Sequence, residues 1–398
     1  MSQAPYWRHC SASSSSARSC LNEDSTMPRA SLKNRVTSLL ADCRVEINGD
    51  APWDIQVHDE DFYARVIAHG SLGLGESYMD GQWDAVALDA FLFRLLNAHI
   101  DERSAKIDDA RLWLKAELRN LQRGRRAFEV GERHYDLGND LFHAMLGQRL
   151  VYSCGYWKSA QTLDAAQVDK LDLICRKLGL RAGMHVLDIG CGWGEALKFA
   201  AERHGVSGVG VTVSIEQAEF ARELCRGLPI EIRVQDYREL DERFDRIFSV
   251  GMFEHVGVRN HASYFAVVRR CLADDGLTLL HSIGANTSSN HTDPWIAKYI
   301  FPNSMIPSAS QISKAVEKDF VIEDWHGFGP DYDRTLMAWI ANFDHAWPQL
   351  SARYGERFQR MWHFYLSVSA AAFRARRDQL WQWVFSPRGV AGGYTAQR

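Results

Sequence analysis

The stretch Val186-Leu187-Asp188-Ile189-Gly190-Cys191-Gly192-Trp193-Gly194 carries the most specific chemistry in the chain. An apolar run ends in an acid, and glycine then recurs at alternate positions. Glycines there let the backbone pass close to a ligand at the carboxyl end of a first strand. A helix beginning near Glu195 aims its N-terminus at the same place. A dinucleotide fingerprint needs a third glycine where this chain has Glu195. That carboxylate would spoil a pyrophosphate site at a helix N-terminus. A sulfonium cofactor carries no phosphate and meets no such conflict.

Further residues gather at the same sheet edge. The second strand ends in Val211-Thr212-Val213-Ser214, with no acid to hold ribose hydroxyls, and Gln217 stands close enough in sequence to bridge a ribose instead. Gln235-Asp236-Tyr237 follows the third strand. Asp236 has two readings, an acceptor for an adenine amino group or a helix cap, and the strand register favours the first. Asp188, Gly190, Cys191, Gly192, Gly194, Thr212, Gln217, Gln235, Asp236 and Tyr237 thus form a candidate cofactor set. The nine-residue string, after a strand and before a helix, points to an α/β class I methyltransferase fold binding S-adenosylmethionine.

Short apolar runs at His185–Ile189, Gly208–Val213, Ile230–Val234, Arg246–Val250 and Leu277–His281 alternate with helical stretches, the rhythm of a mostly parallel sheet with helices on both faces. Upstream, Leu32, Val36, Leu39, Leu40 and Cys43 recur at helical spacing before an Asn48-Gly49 turn. A helix over Phe62–Ala68 is expected to end near Gly70, and Ser71–Gly81 reads as a glycine-rich, aperiodic segment. Leu88, Phe91, Leu92, Leu95 and Leu96 form another apolar stripe. The expected organisation is a disordered leader (1–30), a small helical domain (31–105), a basic linker helix (106–133) and a catalytic domain (134–398).

A net charge of −4 argues against a dedicated nucleic-acid binder, whose affinity rests on clustered Lys and Arg. The eight cysteines include no CxxC pair, so neither a disulfide scaffold nor a metal-ligand spacing emerges, and a reducing cytoplasm fits best. The longest apolar candidate, Val86–Ile100, is interrupted by Asp89 and Arg94, too broken to span a bilayer. Arg111–Arg133 carries seven Arg or Lys against three Glu. It reads either as a solvated helix or as a contact for anionic lipid headgroups.

These strings resemble the cyclopropane-fatty-acyl-phospholipid synthase family. The resemblance runs from about Val36 to the end. It includes Ser71–Gly81, His134–Asp140, Tyr152-Ser153-Cys154-Gly155-Tyr156-Trp157, the glycine loop, Gly251-Met252-Phe253-Glu254-His255-Val256-Gly257, Asp293-Pro294-Trp295 with Lys298–Pro302, Glu323–His326 and Tyr332-Asp333. It implies a seven-stranded sheet and methylene transfer from S-adenosylmethionine to the cis double bond of an unsaturated phospholipid acyl chain. A bound bicarbonate ion is the implied base. Tyr152 and Ser153 join the cofactor set, and the bicarbonate site maps onto Cys154, Glu254, His281, Ile283 and Tyr332. Glu254 would accept from bicarbonate, His281 and Tyr332 would donate or relay, and Cys154 and Ile283 would act through backbone groups. A carbocation needs a dry, aromatic-lined site, for which Trp193, Phe253, Trp295, Tyr299, Phe301 and Trp325 are candidates. A homodimer at the cytoplasmic membrane face is also implied. Glu195 departs from the glycine common in the family, and Ser369, a cysteine in some members, reads as structural. The competing readings are a methyltransferase making another modified lipid or methylating an amine, and an inactive lipid-binding relative.

Overall fold

A computed structural model describes residues 29–100 and 138–398. The basic run Arg111–Arg133, the first part of the His134–Asp140 motif and nearly all of the leader lie outside the described residues. The first part is helical: α1 (Arg29–Ala41), α2 (Asp61–Met79) and α3 (Leu88–Asn97), with a two-strand ribbon of β1 (Gln56–Val57) and β2 (Trp83–Asp84). Then follow α4 (Asn139–Leu146), α5 (Leu163–Leu178), β3 (His185–Ile189), α6 (Glu195–His204), β4 (Ser207–Thr212), α7 (Ile215–Leu224), β5 (Ile230–Val234) and β6 (Phe244–Val250). The chain closes with α8 (His261–Cys271), β7 (Leu272–Ala285), α9 (Pro294–Tyr299), α10 (Ala309–Val316), β8 (Val321–Gly327), α11 (Pro330–Tyr354), α12 (Glu356–Arg374) and β9 (Asp378–Ser386).

The seven-stranded sheet has the order β5-β4-β3-β6-β7-β9-β8. Strands β3 to β7 pair in parallel, whereas β9 runs antiparallel to both β7 and β8. The strand order reverses beside β3, between β4 and β6. In open α/β sheets a ligand crevice forms at that switch point. The apolar runs seen in the sequence match β3 and β5 residue for residue, and β7 extends past its run at both ends. Among the described residues no helix is long and apolar enough to cross a membrane.

One expectation fails. Ser71–Met79 is helical, joined to the preceding helix across a kink at Gly70 (φ 54°). The glycines serve packing there: a Cβ on Gly75 would sit 2.4 Å from the Trp295 ring. Close approach to α9 outweighs glycine's poor helix propensity. The next residue, Glu76, fixes this contact. It accepts from Lys298 Nζ (2.5 Å), Tyr299 Oη (2.7 Å) and Arg65 Nη2 (3.2 Å). Burial opposes its charge, but these three donors hold the carboxyl down at about 2. Gly75→Val is expected to destabilise the protein by about 1–3 kcal/mol, since neither the α2 backbone nor the buried Trp295 can yield cheaply. A fall in the urea midpoint with an unchanged slope would show it.

Candidate active site

The glycine loop lies at the carboxyl end of β3, on the switch point. Gly190 takes φ 85°, and a Cβ there would lie 2.6 Å from the Met252 side chain. Only glycine lets the chain turn here with Met252 across from it. The loop is tied to its neighbour strand by Gly190 and Cys191 N–H groups, both donating to Val211 C=O (2.9 and 3.0 Å).

A cleft opens over this loop. Its walls include Tyr152, Ser153, Asp188, Gly190, Cys191, Gly192, Thr212, Gln217, Gln235, Asp236 and Tyr237. Of the candidate cofactor residues only Gly194 stands off the wall. It caps α6, where a Cβ would meet Ala221 at 2.9 Å. Thr212 Oγ1 donates to Gln217 Oε1 (3.1 Å), which fixes the amide at the tip of β4. Asp236 both caps the following turn, accepting from Arg238 N (3.0 Å), and holds the Arg238 guanidinium while facing the cleft. The cap is thus formed, and the same carboxylate lines the cleft. Asp188 is buried with Oδ1 unpartnered, and burial pushes its carboxyl up to about 8. An orphaned acid in a glycine-lined cleft suits a ligand bearing an ammonium and a sulfonium. Glu195 is buried and ion-paired with Arg149 at the cleft's edge. Its charge is thus answered from within the chain.

Adjoining the cleft is a second group. Glu254 sits on the turn after β6, and its Oε1 accepts from Ile283 N of β7 (2.7 Å). Its other oxygen is buried without a partner. Burial pushes this carboxyl up to about 7, against the pull of the Ile283 N–H. His281, two residues before Ile283, is 1% exposed. Its Nδ1 meets Gln382 Nε2 (3.2 Å), and its Nε2 has no partner. Burial, with Lys170 and Lys177 nearby, holds His281 well below its usual range, so the ring is neutral.

Cys154, Ile283 and Tyr332 share one apolar cluster. Burial raises the Cys154 thiol far from the thiolate range, which excludes it as a nucleophile at neutral pH. Thr335 Oγ1 accepts from Gly155 N (3.0 Å) and Trp157 Nε1 (2.9 Å), locking the Cys154 loop onto α11. Tyr332 lies one turn earlier on that helix and packs edge-on to Trp339 (5.9 Å), which in turn touches Tyr152 (5.3 Å). Tyr152 Oη bonds Tyr365 Oη (2.7 Å), and Tyr365 meets Phe301 edge-on (5.8 Å). An aromatic wall thus runs from the cofactor cleft to Tyr332. Trp193 and Phe301 belong to this region. Phe253 and Trp295 are buried in packing contacts, and Tyr299 holds Glu76. Trp325 is 51% exposed on edge strand β8, stacked on Trp383, and is not among the walls of the cleft. Ser369 lies in α12, half-buried. Sequence reasoning missed Lys170, Gln167, Tyr365, Trp339 and Thr335.

Residues 122–383 match the family model of mycolic acid cyclopropane synthetase. The chain is 51% identical to the cyclopropane-fatty-acyl-phospholipid synthase of Escherichia coli (strain K12) over 96% of its own length and 99% of that protein. It belongs to the mycolic acid cyclopropane synthetase family. The tuberculostearic acid methyltransferase UfaA1 of Mycobacterium tuberculosis is 34% identical, covering 84% of this chain and 83% of that one. The solved structure of mycolic acid cyclopropane synthase CmaA1 complexed with SAH and CTAB superposes with TM-score 0.61 at 31% identity, over 65% of this chain and 97% of that one. With the cleft at the switch point, this membership makes the protein an S-adenosylmethionine-dependent methyltransferase with the class I fold.

Proposed function

We propose that this protein is a cyclopropane-fatty-acyl-phospholipid synthase, acting on the cis double bond of an unsaturated phospholipid acyl chain. The observation that carries this reading is the buried pair Glu254 and His281, each with one polar atom unpartnered, beside an aromatic wall that reaches the cofactor cleft. An amine substrate would need an acceptor for its own proton and no such dry enclosure. A carbocation needs the reverse: π faces, no water, and one base.

The Asp188–Gly192 loop, Thr212, Gln217, Gln235, Asp236, Tyr237, Tyr152 and Ser153 would hold S-adenosylmethionine, which would supply an electrophilic methyl on a sulfonium. One alkene carbon bonds to that methyl as the S–C bond breaks, its electron pair staying on sulfur. Positive charge appears on the other alkene carbon, where Tyr152, Trp339 and Tyr332 offer ring faces. Loss of a methyl proton frees the C–H pair to close the ring. Glu254 and His281, with Cys154, Ile283 and Tyr332, would hold a bicarbonate ion, which would supply the base; Glu254 Oε2 and His281 Nε2 are the polar atoms left open for it. The Ile283 N–H is spent on Glu254, so its part is to fix that carboxylate. Glu254 must be ionised to accept a proton. With its carboxyl near 7, activity is expected to fall as pH drops through about 7 and to level off above it. A flat profile over roughly pH 6 to 8, about one unit either side of a carboxyl near 7, would remove Glu254 from this role.

We further propose that the enzyme is a homodimer that approaches membranes peripherally from the cytoplasmic side. The Arg111–Arg133 run supplies positive charge for anionic headgroups. Binding to vesicles containing anionic phospholipid is expected to weaken as salt rises, because exposed charges are screened. Binding that ignores salt would count against this.

The reading is tested by incubating the protein with S-adenosylmethionine and vesicles of monounsaturated phospholipid. Gain of one methylene with loss of the vinyl protons is expected. Retained vinyl protons would indicate another modified chain, and an untouched lipid would overturn the proposal.

A further inference from the structure

The cleft that takes the cofactor must hold a zwitterion as well as a sulfonium. Asp188 offers an unpartnered acid for the ammonium. The carboxylate needs a cation, and the lining residues provide two strong bases, Arg238 and Lys170. Arg238 is committed to Asp236, with Nε at 2.8 and 3.0 Å from the two oxygens, and lies past the end of β5. Lys170 is different. It is fully buried, reaches the cleft from α5, and its amine donates to Ser153 Oγ at 2.8 Å. Among the described residues it makes no ion pair.

A buried ammonium without a counter-ion is costly, and an apolar side chain of the same length would serve packing better. Ser153 is 5% exposed and is held in place from the same helix: Gln167, one turn before Lys170, donates Nε2 to Ser153 C=O (2.9 Å). Since Ser153 Oγ accepts from Lys170, its own O–H is left to donate into the cleft. Amine and hydroxyl together form a positively polarised end of the cavity next to the Asp188 carboxylate.

Resting on the cofactor reading above, we propose that Lys170, acting through Ser153, reads the carboxylate at the amino-acid end of S-adenosylmethionine. It is a positioning residue for the hydroxyl and the counter-charge for the ligand. Burial pulls the amine down to about 7, against Cys154, Asp188 and Glu195, which favour its charge. A ligand carboxylate at hand favours the protonated form and strengthens the pair.

The test compares calorimetric binding of S-adenosylmethionine and of its decarboxylated analogue to the full-length protein and to Lys170→Met. The wild type is expected to prefer the carboxylate-bearing ligand. Lys170→Met is expected to weaken that ligand by about 10- to 100-fold and the analogue by less than about threefold, the loss of one charge-assisted interaction. Ser153→Ala should show the same selective loss, and it serves as the test if Lys170→Met fails to fold. Equal losses for both ligands would reduce Lys170 to a structural part and overturn the proposal. So would a wild type indifferent to the carboxylate. A wild type that binds neither ligand would overturn the cofactor reading itself, and the proposal with it.

Discussion

Glu254→Gln is expected to leave S-adenosylmethionine affinity within about threefold while cutting turnover roughly a thousandfold. The substitution keeps nearly every contact of the native side chain. An amide oxygen still accepts from Ile283 N, now 2.7 Å from Oε1, so β7 and the turn after β6 stay in register. What changes is the other terminal atom, which is buried and unpartnered in the free protein. In the wild type it is an acceptor that carries charge above pH of about 7. In the variant it becomes an NH2 group, a donor with no charge at any pH. A site that draws a proton away from the reacting methyl then faces one that can only offer protons. Removing one preorganised electrostatic group from a water-excluded site commonly costs a hundredfold to a thousandfold, that is, about 3–4 kcal/mol. The cofactor cleft is walled by other residues, so binding should persist. Single-turnover kinetics with a parallel calorimetric titration separates the two effects. Wild-type turnover in the variant would exclude Glu254 from the chemistry, and joint loss of binding would make it structural.

Asp324→Ala is expected to destabilise the protein by about 3 kcal/mol. Lys177 is fully buried and its Nζ lies 3.1 Å from Asp324 Oδ2, itself 5% exposed. Arg398 completes the group with both terminal nitrogens at 2.7 Å from the carboxylate. Burial opposes the Asp324 charge, yet Arg398 and Lys177 together hold it below the ordinary carboxylate range. Burial in turn pulls Lys177 down to about 8, with Asp324 resisting. Removing Asp324 strands one buried and one partly buried cation. Lys177 escapes part of the penalty by shedding its proton, which is why the figure sits at the low end for a broken buried pair. Replacing both partners, Lys177→Met with Asp324→Leu, should recover most of the loss, because the desolvation cost disappears along with the attraction. Urea unfolding measures both. The consequence reaches the site through β8: Lys177 also touches His326 Nδ1 (3.2 Å), whose ring leans on Phe328 (5.0 Å), and Phe328 packs on His281 (5.9 Å). A truncation within about 0.5 kcal/mol of wild type would show that Arg398 and solvent carry the charge balance instead.

The contrast between legible and hidden features has a physical source. The glycine loop was legible because its chemistry is contiguous: strand, acid, turn and helix N-terminus follow one another within ten residues. The parallel strands were legible for the same reason, each being a short apolar run between helices. The antiparallel end of the sheet was not. Strand β9 enters between β7 and β8 only because partners far apart in the sequence meet, such as Thr278 with Phe385 and Val321 with Ser386, and no local pattern records such a pairing. Ser71–Met79 was misread because glycine lowers helix propensity, while the close approach of Gly75 to Trp295 was invisible before folding. Lys170 and Gln167 were hidden differently. On a helix with charged residues around it, a lysine reads as solvated, and only the structure shows it fully buried against Ser153. Trp325 failed in the opposite sense, an aromatic expected in a site and found exposed on an edge.

The most direct test of the chemistry is the fate of the transferred methyl. The protein is supplied with S-adenosylmethionine carrying a fully deuterated methyl group and with vesicles of monounsaturated phospholipid, and the acyl product is read by mass spectrometry and NMR. The account predicts a chain that has gained a dideuteromethylene bridge and lost its vinyl protons, one deuteron having left the methyl before ring closure. A product that keeps all three deuterons would contradict it, because the proton would then have been lost from the acyl chain and no ring would have formed.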